Sequence, residues 1–372
     1  MAERDWARWI GRRASVRYRL ETPVPGAGST DVVGTVLGLD GDTVLVDGRR
    51  GPTRVPLNAV VTARLVPPAP SRRGAPHTAL SIAEVARIQT DHWRPRTLEP
   101  AGRWLLRAHD RVTARANSAL CLGLPHDVAG QLARVQTWYA EREQPTFLMV
   151  PVPADAPGTG LELMSPGLRE ACATGVHRVG DDPAQAGRDG AEQLALADAL
   201  VAGGAFADPP MRSAVVMTAA TRAVIAGGAG EPPGPRIDLS PAEDPAWLAA
   251  YREDSPALRE LLHSADEQVF AIARTTDGAT AAGLRVSIAD GWAGINSLEV
   301  LPAFRGRRVG GYLLDAAARW AHSRGARSIY LETEISNVPA HNLFLRKGFV
   351  VHHRYDYLRL RPARAAGDTA GS

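Results

Sequence analysis

The pattern of hydrophobic and polar positions changes character along the 372 residues. Between residues 12 and 66, short β-prone runs such as "SVRYRL" and "DTVLVDGRR" are separated by Gly/Asp turns such as Leu39-Asp40-Gly41-Asp42. Alternation with period two, broken by such turns, is typical of short strands. We therefore predict a small β-barrel of about five strands within residues 1–66.

After residue 79 the pattern acquires helical spacing. In "LSIAEVARIQTDHW", Ser81 is followed three residues later by Glu84, which is the spacing of a capping box. A second amphipathic helix is expected over 127–143, followed by the strand "TFLMVPV", and a third helix near 190–202 precedes the strand "SAVVMTA". These elements predict a mixed α/β lobe over residues 77–225.

Residues 236–361 have the clearest order. Several strands are followed by a helix at 310–324, and a strand, a helix at 338–347 and a last strand complete a mixed sheet. Stretches rich in Pro and Gly at 67–76 and 226–236 are expected to be linkers, and the tail 362–372 is expected to be disordered. The predicted fold class is α/β of the α+β type, in three parts.

Composition narrows the class of protein. Hydrophobic residues make up 45% of the chain and charged residues 22%, which suits globular domains. The formal charge of +3 is spread along the chain, which argues against nucleic acid as a partner. Cys121 and Cys172 lack the spacing of metal ligands or of a disulfide framework. Without a signal peptide pattern or an apolar run of roughly 18 residues, we expect a cytoplasmic protein that binds no membrane and no metal.

The most specific chemistry lies in "LPAFRGRRVGG", residues 301–311. Pro302 ends a strand, and Gly306, Gly310 and Gly311 let the backbone approach a ligand closely just before a helix begins. A helix N-terminus presents free amide groups that suit a phosphate. Positive charge is added there by Arg305, Arg307 and Arg308. An isolated turn of this kind is more often a solvated helix start, so a second signal is needed.

The turn resembles motif A of the GNAT superfamily, the acyl-CoA-dependent N-acetyltransferases, with the pattern Arg/Gln-x-x-Gly-x-Gly/Ala after the fourth strand. Arg305 matches its first position and Gly310 its last, whereas Arg308 stands where the family has its first glycine. A negative φ would accommodate Arg308; alternatively its guanidinium adds to pyrophosphate binding, or the cofactor binds more weakly.

A second stretch, "ETEISNVPAHNLFLRKGF", is similar to the family's fifth-strand signature. The match is carried by Asn337, Ala340, Phe344, Gly348 and Phe349. Two motifs in the right order are stronger evidence than either one alone. The resemblance covers about residues 236–361 and implies acetyl-CoA as co-substrate.

The resemblance also implies where the co-substrate binds. The cofactor lies between the fourth and fifth strands, with its pyrophosphate on the turn, and an N–H near Val300 polarises the thioester carbonyl. The implied cofactor-binding residues are Leu298, Val300, Arg305, Gly306, Arg307, Arg308, Val309, Gly310, Gly311, Asn337, His341 and Phe344.

The base that deprotonates the acceptor amine has several candidates. Glu299 is the first, provided that a β-bulge turns it toward the thioester. A water held by Asn296 is a rival, and Glu332, Glu334 and His341 are further options.

The general acid is open as well, because Phe344 occupies the family's usual tyrosine position. Tyr312, Tyr330 or water can replace it, or the thiolate leaves unassisted.

The middle part contains "RANSALCLGLP", residues 115–125, which resembles the amino-terminal halves of tandem GNAT proteins. No glycine-rich turn follows a strand there, so we expect a degenerate lobe without cofactor. Arg115, Asn117 and Ser118 either face a substrate cleft between the lobes or form a buried cap. Trp247 and Tyr251 either line the amine pocket or pack in the core.

Together these features predict three domains: a small barrel of the Src-homology-3 type by its pattern (1–66), a degenerate GNAT-like lobe (77–225) and a catalytic GNAT domain (236–361). The predicted activity is acetyl transfer from acetyl-CoA to a primary amine of an amino acid, a small amine or a protein. The alternatives are an acyl-CoA-binding regulator without turnover and a barrel that acts as a nucleic-acid or protein adaptor. A homodimer is left open.

Overall fold

The structure is a computed structural model in which two β-sheets and their helices are defined. The residues described are 6–24, 27–49, 51–66, 76–158, 161–178, 187–207, 213–227 and 234–361. The predicted linker at 67–76 lies outside them except for Pro76, as do residues 228–233 of the second linker and the predicted disordered tail 362–372.

The N-terminal part forms a five-stranded antiparallel sheet. Its strands are β1 (Arg13–Val24), β2 (Ala27–Asp40), β3 (Thr43–Gly48), β4 (Gly51–Pro56) and β5 (Val60–Leu65). Their order is β4-β3-β2-β1-β5, which confirms the predicted number of strands. The expected closure into a barrel is not found, because β4 and β5, the two edges, do not pair with each other in the described residues.

The open sheet is covered by its neighbours. Val16, Val36 and Val44 on its inner face are fully buried, and they belong to the same core as Trp6 and as Val85 of the following helix. Apolar surface is therefore removed from water by packing against other elements, so burial of this face does not require a closed barrel.

The rest of the chain builds one twelve-stranded sheet. Its strands are β6 (Thr97–Ala101), β7 (Trp104–Ala108), β8 (Ala119–Cys121), β9 (Phe147–Val152), β10 (Phe206–Ala207), β11 (Ala214–Ala220), β12 (Arg236–Ser240), β13 (Glu267–Arg274), β14 (Thr280–Ala289), β15 (Trp292–Val300), β16 (Ser328–Glu334) and β17 (Val350–Arg359). The main path runs β12-β13-β14-β15-β16-β11-β17-β9-β8-β7-β6, and β10 pairs with β17.

Strand pairing crosses the predicted division between the middle and C-terminal parts. β11 precedes the second linker, yet it lies between β16 and β17 and is antiparallel to both. β17 in turn pairs with β9 of the middle part. The predicted boundaries at 77–225 and 236–361 stay a prediction, while the sheet itself is continuous.

Ten α-helices are found in the described residues. They are α1 (Pro76–Ala79), α2 (Ile82–His92), α3 (Val128–Ala140), α4 (Pro166–Ala173), α5 (Gly187–Ala202), α6 (Thr221–Gly227), α7 (Pro245–Tyr251), α8 (Pro256–Leu262), α9 (Val309–Ser323) and α10 (Val338–Arg346). The capping box at Ser81 and Glu84 is confirmed by both of its hydrogen bonds. α9 packs on β13, β14 and β15, and α2 and α7 also contact β14 and β15. In the described part of the chain, no helix is both long and apolar enough to cross a membrane.

Candidate active site

The candidate site is a gap between two parallel strands. β15 and β16 pair only from Trp292↔Ser328 to Ile295↔Leu331, and beyond these residues the strands separate. A cavity of about 970 Å³ opens there, and its wall includes residues of β15, β16, the turn before α9 and the start of α10. The separation leaves backbone hydrogen-bonding groups of β15 facing the cavity.

A β-bulge orients the side chains of β15. Gly283 of β14 pairs with Glu299, and Arg285 pairs with Asn296, so β15 carries one extra residue in this interval. Ser297 has a φ of 59°, as expected of an irregular position. Because residues directly opposite each other in a ladder project from the same face, the bulge brings Asn296 and Glu299 onto one face of the sheet.

The two faces can be told apart by their neighbours. A Cβ at Gly283, the partner of Glu299, would lie 2.7 Å from Cδ1 of Trp247 on α7. By contrast, the side chains of Leu298 and Val300 approach Gly310 on α9. Glu299 therefore projects toward the side of α7, away from α9.

Trp247 of α7 holds the bulge through a hydrogen bond to its backbone. Its indole Nε1 donates a hydrogen bond to Ser297 O at 3.2 Å, and the residue is fully buried. Its ring stacks on Tyr251 with centroids 5.6 Å apart. Of the two interpretations considered for Trp247, packing in the core is the one that the structure shows.

The direction of the Val300 amide follows from its neighbour. Leu301 N–H donates to Ala281 O on the β14 side at 3.0 Å. Successive N–H groups of a strand point to opposite edges, so the Val300 N–H points into the gap. The carbonyl of Val300 accepts a hydrogen bond from Arg305 Nε at 3.0 Å.

The turn before α9 is lined by amide groups. No side chain caps this helix, and in the described residues the amides of 306–310 donate to no backbone carbonyl. A Cβ at Gly310 would lie 3.1 Å from Leu343, and one at Gly311 would lie 3.2 Å from Lys347. A side chain at either glycine would thus crowd the place where α9 and α10 meet, and the free amides at this helix start suit an anion.

Arg308 departs from one expectation. It is the N-cap residue of α9 and has a φ of 62°, so the negative φ that would have accommodated an arginine is wrong. A left-handed conformation costs a residue with a Cβ roughly 1 kcal/mol relative to glycine. The position is strained, and its side chain lies on the cavity wall.

Most of the predicted site residues meet at this cavity. Those on its wall are Asn296, Leu298, Glu299, Val300, Arg305, Gly306, Arg308, Val309, Gly310, Gly311, Asn337 and Phe344. Arg305 donates from Nη2 to Glu299 Oε1 at 2.8 Å, so the first candidate base is paired with a predicted phosphate ligand.

Three predicted residues are absent from the wall. Cζ of Arg307 lies 5.8 Å from the centre of the Phe304 ring. Glu334 is exposed at the end of β16. His341 is buried, and its Nε2 lies 2.9 Å from Glu334 O. Burial lowers the pKa of His341, which suits a neutral ring tying α10 to β16 better than a group titrating in the cavity.

Polar residues behind the cavity were not all anticipated. Glu332, on the wall, forms an ion pair with Arg115 and accepts a hydrogen bond from Gln89 Nε2 at 2.8 Å. Asn296 accepts one from Arg285 Nη1 at 3.2 Å. Nothing in the sequence marks Gln89 or Arg285, because their partners are brought near only by the fold.

A mixed sheet with a gap between two parallel strands, and an amide-lined helix start at one end of it, are the features expected from the resemblance to the GNAT superfamily. Residues 237–349 match the model of the acetyltransferase (GNAT) family, which confirms the resemblance predicted for the C-terminal part. Residues 82–156 match the model described as "Probable histone acetyltransferase Rv0428c C-terminal".

Individual relatives are similar over shorter stretches. Streptothricin acetyltransferase of Escherichia coli is 41% identical over 59 residues, which are 16% of this chain and 34% of that protein. Aminoalkylphosphonate N-acetyltransferase of Salmonella typhimurium is 40% identical over 63 residues, 17% of this chain and 41% of that protein. The chain thus spans well under half the length of these curated relatives.

A solved structure resembles the chain over a longer stretch. It is a GCN5-related N-acetyltransferase from Kribbella flavida, with a TM-score of 0.50 and 16% identity, covering 77% of this chain and 97% of that one. At this identity the likeness concerns the fold alone.

Proposed function

We propose that the protein is an acetyl-CoA-dependent N-acetyltransferase that moves the acetyl group to a primary amine by direct attack on the thioester. The observation that carries this proposal is the gap between β15 and β16 with an amide-lined turn at its end. Positioning two reactants in one cavity supplies much of the acceleration of such a reaction.

The residues present fit the co-substrate. The free amides of 306–310 and the guanidinium of Arg308 would hold the diphosphate. Leu298 and Val300 would pair with the pantetheine arm, and the Val300 N–H would polarise the thioester carbonyl. Acetyl-CoA supplies the activated acyl group; the chain binds, orients and shields it.

Glu299 is the proposed base. It shares the α7 side of the sheet with Asn296, and its link to Arg305 holds the carboxylate in place. It would accept a proton from the ammonium group of the acceptor, directly or through a water held by Asn296, and so leave a neutral amine to attack the thioester. Glu334 is a weaker candidate because it lies outside the cavity wall.

Release of the thiolate does not depend on a tyrosine on the wall. No tyrosine is among the described wall residues, and Phe344 has no proton to give. Tyr330 is fully buried, which raises the pKa of its hydroxyl, and Tyr312 lies against Gly234. The departing thiolate would take its proton from water.

The middle part is proposed to be a lobe without cofactor. β8 and β9 are parallel neighbours connected through α3, as β15 and β16 are through α9. The start of α3, however, is capped by Asp127, whose Oδ1 accepts the Gly130 N–H at 2.9 Å. This carboxylate already satisfies the helix terminus and would repel a diphosphate.

The acceptor is proposed to be a small molecule. Two relatives are named for small amine substrates, streptothricin and aminoalkylphosphonate, and their similarity is confined to short stretches. A protein amine stays open, as does a homodimer. Two buried free cysteines, Cys121 and Cys172, accord with a reducing cytoplasm.

The test combines binding with turnover. Calorimetry should show CoA binding, and an amine panel should release free CoA thiol from acetyl-CoA. Glu299→Gln should lower turnover by about tenfold to a thousandfold near neutral pH with little change in CoA affinity. Glu267→Gln is the matched control, since Glu267 lies on β13 and pairs with Arg324 at 3.0 Å. Equal turnover of both variants across pH would remove Glu299 from this role.

The competing function is an acyl-CoA-binding regulator without turnover. It is motivated by the strained Arg308 and by Phe344. Tight CoA binding without thiol release above background, for every amine tested, would favour the regulator.

A further inference from the structure

An ion pair contributed by two parts of the chain lies at the cavity wall. Glu332 lies on the wall and pairs with Arg115 from the segment before β8. Only 13% of the Arg115 side chain and 12% of the Glu332 side chain are exposed. Nε of Arg115 has no hydrogen-bond partner in the described residues, so the guanidinium retains a free donor.

A second guanidinium lies behind the wall without a carboxylate. Arg285 is fully buried and donates to His92 O at 2.9 Å and to Asn296 Oδ1 at 3.2 Å, both neutral groups. Among the described residues no carboxylate lies within 4 Å of it, and its Nη2 has no partner. Burial lowers the pKa of Arg285 to about 10, so the group remains charged near neutral pH.

The two cations share one neighbourhood. Cζ of Arg115 lies 4.9 Å from the centre of a Trp93 ring, and Cζ of Arg285 lies 5.6 Å from a ring of the same residue. Glu332 is the one carboxylate paired with either of them in the described residues. The nearby Asp91 is held by Arg87 at 3.2 Å. This side of the cavity therefore carries an excess of one positive charge.

An uncompensated buried charge is expensive, and an incoming anion would remove that cost. Asn296, which is 5% exposed and lines the cavity, directs its side-chain amide toward the hydroxyl of the buried Tyr330, and its Nδ2 has no other acceptor in the described residues. This amide supplies a donor at the wall, with the positive potential of the two guanidinium groups behind it.

We propose that the acceptor is an amine that also carries an acidic group, as an amino acid does. The acidic group would lie against Asn296 and the Arg115 and Arg285 side of the cavity, and its amine would face Glu299 and the thioester. This inference rests on the proposed transferase function and adds the class of acceptor to it.

The first experiment compares three forms of each acceptor. L-Amino acids, their amides and the corresponding decarboxylated amines are assayed by release of CoA thiol from acetyl-CoA. The acids should show kcat/KM about tenfold to a hundredfold above their amides, the range of a charge-assisted hydrogen bond. Should no acid exceed its amide, the proposal is wrong.

The second experiment removes one of the charges. Arg115→Gln should lower kcat/KM for the acids by about tenfold or more, mainly through KM, and should leave the amides and CoA affinity unchanged. Arg115→Lys retains the charge and should retain most of the preference. Arg142→Gln is the matched control, because Arg142, just after α3, pairs with Glu99 of β6 at 3.1 Å and neither residue lines the cavity.

Calorimetry with CoA distinguishes failure of this inference from failure of the proposed transferase function. A wild-type protein that does not bind CoA would refute the transferase proposal. Binding and turnover with equal use of acids and amides would refute only the acidic acceptor. Loss of CoA binding in Arg115→Gln together with Arg115→Lys would show that the pair is structural, which also overturns the inference.

Discussion

Mild acid should destabilise this protein because it buries neutral histidines. His92, His352 and His353 are fully buried. Burial lowers the pKa of His92 and of His353 to about 3, and that of His352 well below its ordinary value. Nδ1 of His352 lies 2.8 Å from Nδ1 of His353, so protonating either ring would bring charge into an already crowded pair.

The size of the effect comes from the unfolded chain. There a histidine has a pKa near 6.5 and takes up a proton below that value, whereas the folded state does not do so until the pH nears its lowered pKa. Stability is therefore fully present above pH 6.5 and falls as the pH drops. Between about pH 7.5 and about pH 5.5 each histidine lowers the free energy of unfolding by about 1.4 kcal/mol, and the three together lower it by about 4 kcal/mol. A typical domain is stable by about 5–15 kcal/mol in total.

Urea unfolding at these two pH values measures the effect. His92→Gln isolates the histidine contribution, since it should reduce the loss of unfolding free energy by about 1.4 kcal/mol. Burial raises the pKa values of Asp290 and Asp356, so these two groups stabilise the folded state as the pH falls and offset part of the histidine effect. Both are unchanged in this variant. The reasoning is refuted if the wild type and His92→Gln lose the same free energy between the two pH values.

Three substitutions test other parts of the site. Arg308→Gly should raise the free energy of unfolding by about 1 kcal/mol by relieving the left-handed conformation, and an unchanged midpoint in urea would contradict this. Lys347→Met should cost about 3 kcal/mol by leaving Asp315, 2.9 Å from Nζ, buried without its cation; thermal unfolding at neutral pH measures it. Gly283→Ala should displace Trp247, cost about 1–3 kcal/mol and lower kcat more than CoA affinity; wild-type kinetics would show that the bulge tolerates the methyl group.

The fold of the C-terminal part could be predicted because its elements are strongly periodic. The helix expected at 310–324 is observed as Val309–Ser323, and the one at 338–347 as Val338–Arg346. Glycines at the turn and the order of two short motifs located the cavity. Local sequence fixes such features, because they depend on neighbours along the chain.

Pairings between distant residues could not be predicted in this way. The sequence of β11 predicts an ordinary buried strand. Nothing in "SAVVMTA" indicates that this strand lies between β16 and β17. Likewise, the sequence around Arg285 is that of an ordinary buried strand. Its hydrogen bond to Asn296 depends on the bulge in β15. Closure of the N-terminal sheet was expected from alternation alone, which does not reveal that Trp6 and residues from outside the sheet join its core.

The position of β17 has a consequence for synthesis on the ribosome. As the chain emerges, β9 and β11 are made long before the strand that lies between them. Until residues 350–359 leave the exit tunnel, both present bare hydrogen-bonding edges, which invite association with other chains. We expect the nascent protein to need a chaperone until its final segment arrives, and chains stopped before that segment to aggregate.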